Sequence, residues 1–198
     1  MAQRRDDLHY NWFWLLTWTT YGSWLPGDDR GSTGIIHDQS GEQLARNEIG
    51  DPLIEPSNAL RDFSQEAMKG DEVRLHREQA RVLLTQFHCT SGVRRWRLLA
   101  VAIMANHIHL VVNVHGDPEP EDILRDFKSY GSGALNLQWG RRDSDTWWTE
   151  SGSKRKLDSD NSVIGAIQYV IDQKYPLVIW TRECGMIVPA ADSMPGDA

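Results

Sequence analysis

Cysteine is nearly missing from this chain. Cys89 and Cys184 are the only two in 198 residues, too few for a disulfide scaffold or a cysteine-rich zinc module. Two buried thiols in a reducing, cytoplasmic setting are the expectation. Long apolar runs are missing too. The stretch LLAVAIMA at 98–105 falls far short of the roughly 20 residues that cross a bilayer, so no membrane partner is expected. No basic start with an apolar core and a small-residue cleavage site marks a secretory leader. Nor is there an excess of positive charge: 21 Lys and Arg against 28 Asp and Glu leave a net charge of −7, which argues against indiscriminate duplex binding. At 40% hydrophobic and 25% charged residues the composition excludes wholesale disorder.

The charge is uneven. Residues 71–115 carry a balance of +3, and the segments on either side carry −5 each. Basic clusters stand at Arg94, Arg95 and Arg97, at Arg141 and Arg142, and at Lys154, Arg155 and Lys156. An acidic whole can still hold a basic groove.

Residues 12–21, rich in aromatic and β-branched types, read as a buried strand. Residues 25–70 stay polar and are broken by Pro26, Pro52 and Pro56, which predicts an insertion with one short helix. Helical spacing of Val73, Arg77, Ala80, Leu83, Leu84 and Phe87 predicts a helix at about 72–89. A strand follows at 96–104, with Leu98, Ala100, Ala102 and Met104 on one face. After a tight turn at Ala105-Asn106 comes a second strand at 107–114. A helix opens after Asp117-Pro118, and Trp147, Trp148 and Thr149 suggest another strand. Ser162 caps a last helix with Ile164, Ile167 and Ile171 inward. This order predicts an α+β, ferredoxin-like antiparallel sheet in split βαβ order, with helices on one face and an added C-terminal helix. Residues 1–180 form one domain on this reading, and 181–198 a partly disordered tail.

Two short patterns carry chemistry. In His107-Ile108-His109 the alternation of a strand sends both imidazoles to one face, a good partial metal site that lacks a further ligand. In Tyr169 and Gln173, helical spacing places a phenol and an amide one turn apart. Tyrosine ionises near pH 10, so a tyrosine nucleophile needs help, which a metal on a substrate phosphate supplies. The two patterns explain each other.

With these residues in view the sequence resembles the single-tyrosine HUH (His-hydrophobic-His) transposases, and more closely their REP-associated tyrosine transposase branch. The blocks TWTTYGSWLPGDDRGS, VAIMANHIHLVV, DFKSYGSGALN, WWTESGSKRKL and AIQYVIDQ stand in the family's order over about residues 11–175. The resemblance implies that Tyr169 attacks a DNA phosphate to leave a 5′-phosphotyrosine and a free 3′-hydroxyl. It implies that His107, His109 and Gln173 hold a divalent ion, Mg2+ or Mn2+, of which manganese suits imidazole better. The implied partner is single-stranded DNA with REP-like hairpins. Monomer and homodimer both stay open, because the tyrosine helix of the wider class completes its own site or a partner's. Lys128, Arg141, Lys154 and Arg155 are the expected phosphate contacts, and Trp24 the expected exposed aromatic.

Rival readings stand beside this one. Tyr130 and Tyr175 are alternative nucleophiles. Trp12, Trp14, Trp18, Trp96 and Trp147 could stack bases, which would make the chain a non-catalytic binder of structured single-stranded DNA or RNA. Water in place of tyrosine would make it a metal-dependent phosphodiesterase.

Overall fold

The run WFWLLTWT forms β1 (Trp12–Thr19), a strand whose alternate side chains serve two different layers. The computed structural model describes residues 12–29 and 56–187. Most of the polar insertion and the tail from Val188 onward lie outside the described residues. Within the described part of the insertion, α1 (Asn58–Glu66) starts where the Ser57 hydroxyl accepts from the Leu60 amide. The remaining elements are α2 (Arg77–Arg94), β2 (Arg97–Ile103), β3 (His107–Val114), α3 (Pro120–Trp139), β4 (Ser153–Leu157), α4 (Asp160–Ile171), β5 (Val178–Thr181) and β6 (Gly185–Ile187).

The fold is mixed α+β, with one six-stranded sheet in the order β4-β1-β3-β2-β5-β6. Every neighbouring pair is antiparallel. On one face α2 and α3 enclose the larger core, built on Leu16, Trp18, Ile108, Leu110, Phe87 and Phe127. On the other, α4 covers a smaller cluster that includes Ala100, Ala102, Val111 and Val170. Among the described residues no helix is long and apolar enough to cross a membrane.

Helix α2 begins five residues later than its periodicity predicts. Val73 is buried as expected and Leu75 beside it is buried too, but both are extended, and their amides donate to the carbonyls of Tyr21 and Ala105. The helix starts only at a capping box between His76 and Gln79. The expected common face of Leu98, Ala100, Ala102 and Met104 is split by a bulge between Leu98 and Ala100. Leu98 therefore joins Val101 and Ile103 in the larger core, while the alanines face α4.

Further expectations change. Trp147 and Trp148 do not form a strand. Both plug the larger core with a single bridge, Thr20 to Trp148, and the strand is the basic segment after them, where lysine and arginine suit a sheet edge. On α4 the inward residues are Ala166 and Val170, whereas Ile164 and Ile171 face outward. Its cap is Ser159, with Ser162 as the reciprocal partner. Cys89 and Cys184 are free thiols as expected, but exposed and not buried. The last strand, β6, falls inside the stretch that reads as tail.

Gly131 shows why a glycine sits mid-helix in α3. A Cβ there would stand 3.1 Å from Leu83 Cδ2 and 3.4 Å from Phe87 Cε1, so its roughly 1 kcal/mol propensity cost is offset by the close approach of α2. The two layers should respond unequally to truncation. Phe87→Ala removes a fully buried ring and is expected to lower stability by about 3–5 kcal/mol. Ile164→Ala should change it by less than about 0.5 kcal/mol, as read from urea unfolding midpoints.

Candidate functional site

The register of β1 against β3 sets Thr17 opposite His109 and Thr19 opposite His107. Because side chains alternate along a strand, the same pairing sends Ile108 and Leu110 into the larger core and both histidines towards the α4 face. Their rings meet edge to face, with centroids 4.8 Å apart.

His109 is only 4% exposed. Its Nδ1 lies 2.7 Å from Thr17 Oγ1, and its Nε2 lies 3.5 Å from the hydroxyl of Tyr169. The two rings stand edge to face at 5.0 Å. Tyr169 comes from α4 and is 48% exposed, so the phenol reaches a buried imidazole from a position open to solvent. Burial, and secondarily the neighbouring His107, push the His109 pKa down to about 4. At neutral pH the imidazole is uncharged and one ring nitrogen can accept a proton. His107 Nδ1 is 2.7 Å from Asn106 Oδ1, and Thr19 Oγ1 is 2.8 Å from Thr149 Oγ1. The hydroxyls of Thr17 on β1 and Tyr169 on α4 thus flank His109.

Gln173 does not share the helix face predicted for it. Helix α4 ends at Ile171, with Asp172 as its cap, and the Gln173 amide turns back to donate to the Tyr169 carbonyl at 2.9 Å. An amide nitrogen that satisfies an orphan carbonyl at the helix end acts as a cap. The expectation of a bound Mg2+ or Mn2+ is overturned. Among the described residues no group of three or more His, Cys, Asp or Glu side chains could hold a metal ion. The donor set stops at two imidazoles, and both nitrogens of His109 already face hydroxyls.

The expected phosphate contacts separate by layer. Lys128 is taken up inside the fold: its Nζ donates to the carbonyls of Thr149, Glu150 and Ser151, and burial pushes its pKa down to about 8. It holds the segment that carries Thr149 to the site. Lys154 pairs with Glu121 of α3 at 2.8 Å, on the far face. Arg155 lies opposite Leu15 in the β1–β4 register, which puts it on the face of the histidines, exposed. Arg141 is exposed in the turn after α3. Trp24 is exposed at 39%, whereas Trp18 and Trp147 are core residues. Tyr130 sits on α3, across the sheet from the histidines, and Tyr175 lies beyond α4 with a left-handed φ of 57°.

Thr17 is the site residue that sequence reading misses. The signal available was a threonine alternating with tryptophans in LTWTT, but its partner depends on the β1–β3 pairing, a contact across 92 residues.

Two outcomes follow. The folded His109 resists a proton that the unfolded chain takes up near pH 6.5, so stability is expected to fall as pH drops from about 6.5 towards 4. The urea midpoint should decline more steeply over that window in the native chain than in His109→Gln. Lys128→Met leaves three carbonyls without their donor and should lower stability by about 2 kcal/mol, with faster amide exchange confined first to residues 149–152.

No family model matches this chain, and no curated protein matches it. Among solved structures it is similar to that of a REP-associated tyrosine transposase bound to a REP hairpin, at 12% identity over 86% of this chain and 70% of that one, with a TM-score of 0.41.

Proposed function

We propose that this chain cleaves and rejoins single-stranded, hairpin-bearing DNA through Tyr169, as a transposase-like strand transferase. The observation that carries the reading is the Tyr169 hydroxyl set against the buried, neutral imidazole of His109. Two supports stand beside it. One is the ordered set of sequence blocks that resemble those of the tyrosine transposases. The other is the strand order β4-β1-β3-β2 within the sheet, the order of a ferredoxin-like split βαβ unit.

In the forward step the phenolic oxygen attacks phosphorus, and the bond from phosphorus to the 3′-oxygen breaks. The phenolic proton passes to His109 Nε2, and the departing 3′-oxygen takes a proton from solvent water to become a hydroxyl. Free tyrosine holds its proton to about pH 10, but its acidity rises steeply as the O–P bond forms. The negative charge gathering on the phosphate raises the imidazole's proton affinity at the same moment. A positioned base of this kind contributes roughly 10²–10⁴-fold. The Tyr169–His109 separation is long for a hydrogen bond, as catalytic contacts commonly are before substrate binds. Arg155 is placed to meet a backbone phosphate from the edge of the sheet. The phosphotyrosine conserves the bond, so attack by a 3′-hydroxyl runs the step backwards and rejoins a strand.

The binding-module reading requires an aromatic platform open on the sheet. Trp12, Trp14 and Trp96 are instead packed against the core, and helices cover both faces.

The test is covalent trapping on a pool of hairpin-bearing single-stranded DNA. A denaturation-resistant adduct should form with the native chain and with Tyr130→Phe. It should vanish with Tyr169→Phe, whose DNA affinity stays within about twofold. An adduct that survives Tyr169→Phe would falsify the assignment.

A further inference from the structure

Thr17 has no chemistry of its own in the reaction described above, yet it makes the shortest side-chain contact to His109. Its Oγ1 lies 2.7 Å from Nδ1, while the ring's other nitrogen faces Tyr169 at 3.5 Å. A neutral imidazole carries one proton on two nitrogens, and only the nitrogen without it can accept. The partner at Nδ1 therefore decides whether Nε2 can take a proton from Tyr169.

We infer that Thr17 is a positioning residue for the tyrosine reaction: its hydroxyl oxygen accepts from Nδ1–H of His109 and so leaves the Nε2 lone pair turned to the Tyr169 hydroxyl. The inference rests on the proposed roles of Tyr169 and His109. Three features of the fold make Thr17 suited to it. Its backbone is fixed from both sides, paired with His109 on β3 and with Ser153 on β4. The chain at Gly152 presses on it so closely that a Cβ there would stand 2.7 Å from the Thr17 carbonyl oxygen. Threonine is also stiff at χ1, so a fixed backbone fixes the hydroxyl. Finally, a hydroxyl oxygen at Nδ1 serves the ring before and after proton transfer, since Nδ1 carries a hydrogen in both states. No rearrangement is needed when Nε2 becomes protonated.

The role differs from mere support, because a side chain of the same shape without the oxygen would preserve packing and lose the tautomer. Thr17→Val is that change, and Thr17→Ser restores the oxygen alone. The first readout needs no substrate: histidine 15N shifts of the free protein at neutral pH. The native chain and Thr17→Ser should show His109 protonated at Nδ1, and Thr17→Val should shift the proton to Nε2. The second readout is the rate of adduct formation on hairpin DNA. It should fall about 100-fold in Thr17→Val and stay within about threefold in Thr17→Ser. Thermal unfolding of each variant confirms that it is folded, and Thr17→Ala replaces Thr17→Val if that one is not.

An Nε2–H tautomer in the native chain overturns the inference. So does an Nδ1–H tautomer that persists in folded Thr17→Val, or a tautomer switch that leaves the adduct rate unchanged. Failure of the strand-transfer reading looks different: no adduct with the native chain, while the tautomers follow position 17 as expected. In that case Thr17 orients His109 but serves no tyrosine reaction, and the inference falls with the reading.

Discussion

The pairing of β1 with β3 is the constraint on which the site depends. A strand repeats every two residues, so a slip of one position exchanges its faces completely. Here such a slip would drive His107 and His109 among Trp18 and Phe87 and leave Ile108 and Leu110 beneath α4. What forbids it is the apolar half of the same strand: Ile108, Leu110, Val112 and Val114 are all fully buried in the larger core. The register of the polar half is thus set by residues that never touch the site. Thr17 opposite His109, and the approach of Tyr169 from above, both follow from packing on the reverse side of the sheet.

Charge is sorted by the same sheet. The alternation that directs Arg155 to the histidine face directs Lys154 and Lys156 away from it. Lys154 closes an ion pair with Glu121, and Lys156 lies over the ring of Trp12, 3.6 Å from its centroid. A run of three cations in sequence becomes one cation on the histidine face and two that tie the edge strand to the body of the fold. Lys128 goes further, since its ammonium is drawn inward to bind three successive carbonyls. An acidic chain therefore need not present a broad basic surface. Arg155 and the hydroxyls of Thr17 and Tyr169 offer polar contacts with little net charge.

Much of this was legible in the sequence, for reasons of period. The alternation in HIHLVVNV marks a strand and puts both imidazoles on one face, and the spacing through Phe87 marks a helix. What stayed hidden depends on contacts between distant segments. A bulge after Leu98 leaves no trace in a run of Leu-Leu-Ala, any frame of which is apolar. Trp147 and Trp148 look like strand residues because core plugs and strands draw on the same side chains. The turning of Gln173 onto the Tyr169 carbonyl depends on where α4 ends, and helix ends are the least predictable part of a helix. The expected metal failed for a related reason. Spacing shows which donors share a face, but a coordination sphere also needs donors from other elements, and among the described residues no third His, Cys, Asp or Glu joins these two.

The two faces of the sheet are unequal in substance. The side under α2 and α3 is filled by tryptophan, phenylalanine and leucine, whereas α4, with Ala166 and Val170 as its buried residues, rests on a smaller cluster of Ala100, Ala102, Met104, Val111, Leu157 and Ile179. The buried side chains of α4 itself are small and remove little apolar area from water, so lifting the helix is expected to cost less free energy than unfolding the sheet. The element carrying Tyr169 is accordingly expected to open before the central strands that carry His109 and Thr17. Under the proposed reaction, Tyr169 leaves and returns while His109 and Thr17 stay where they are.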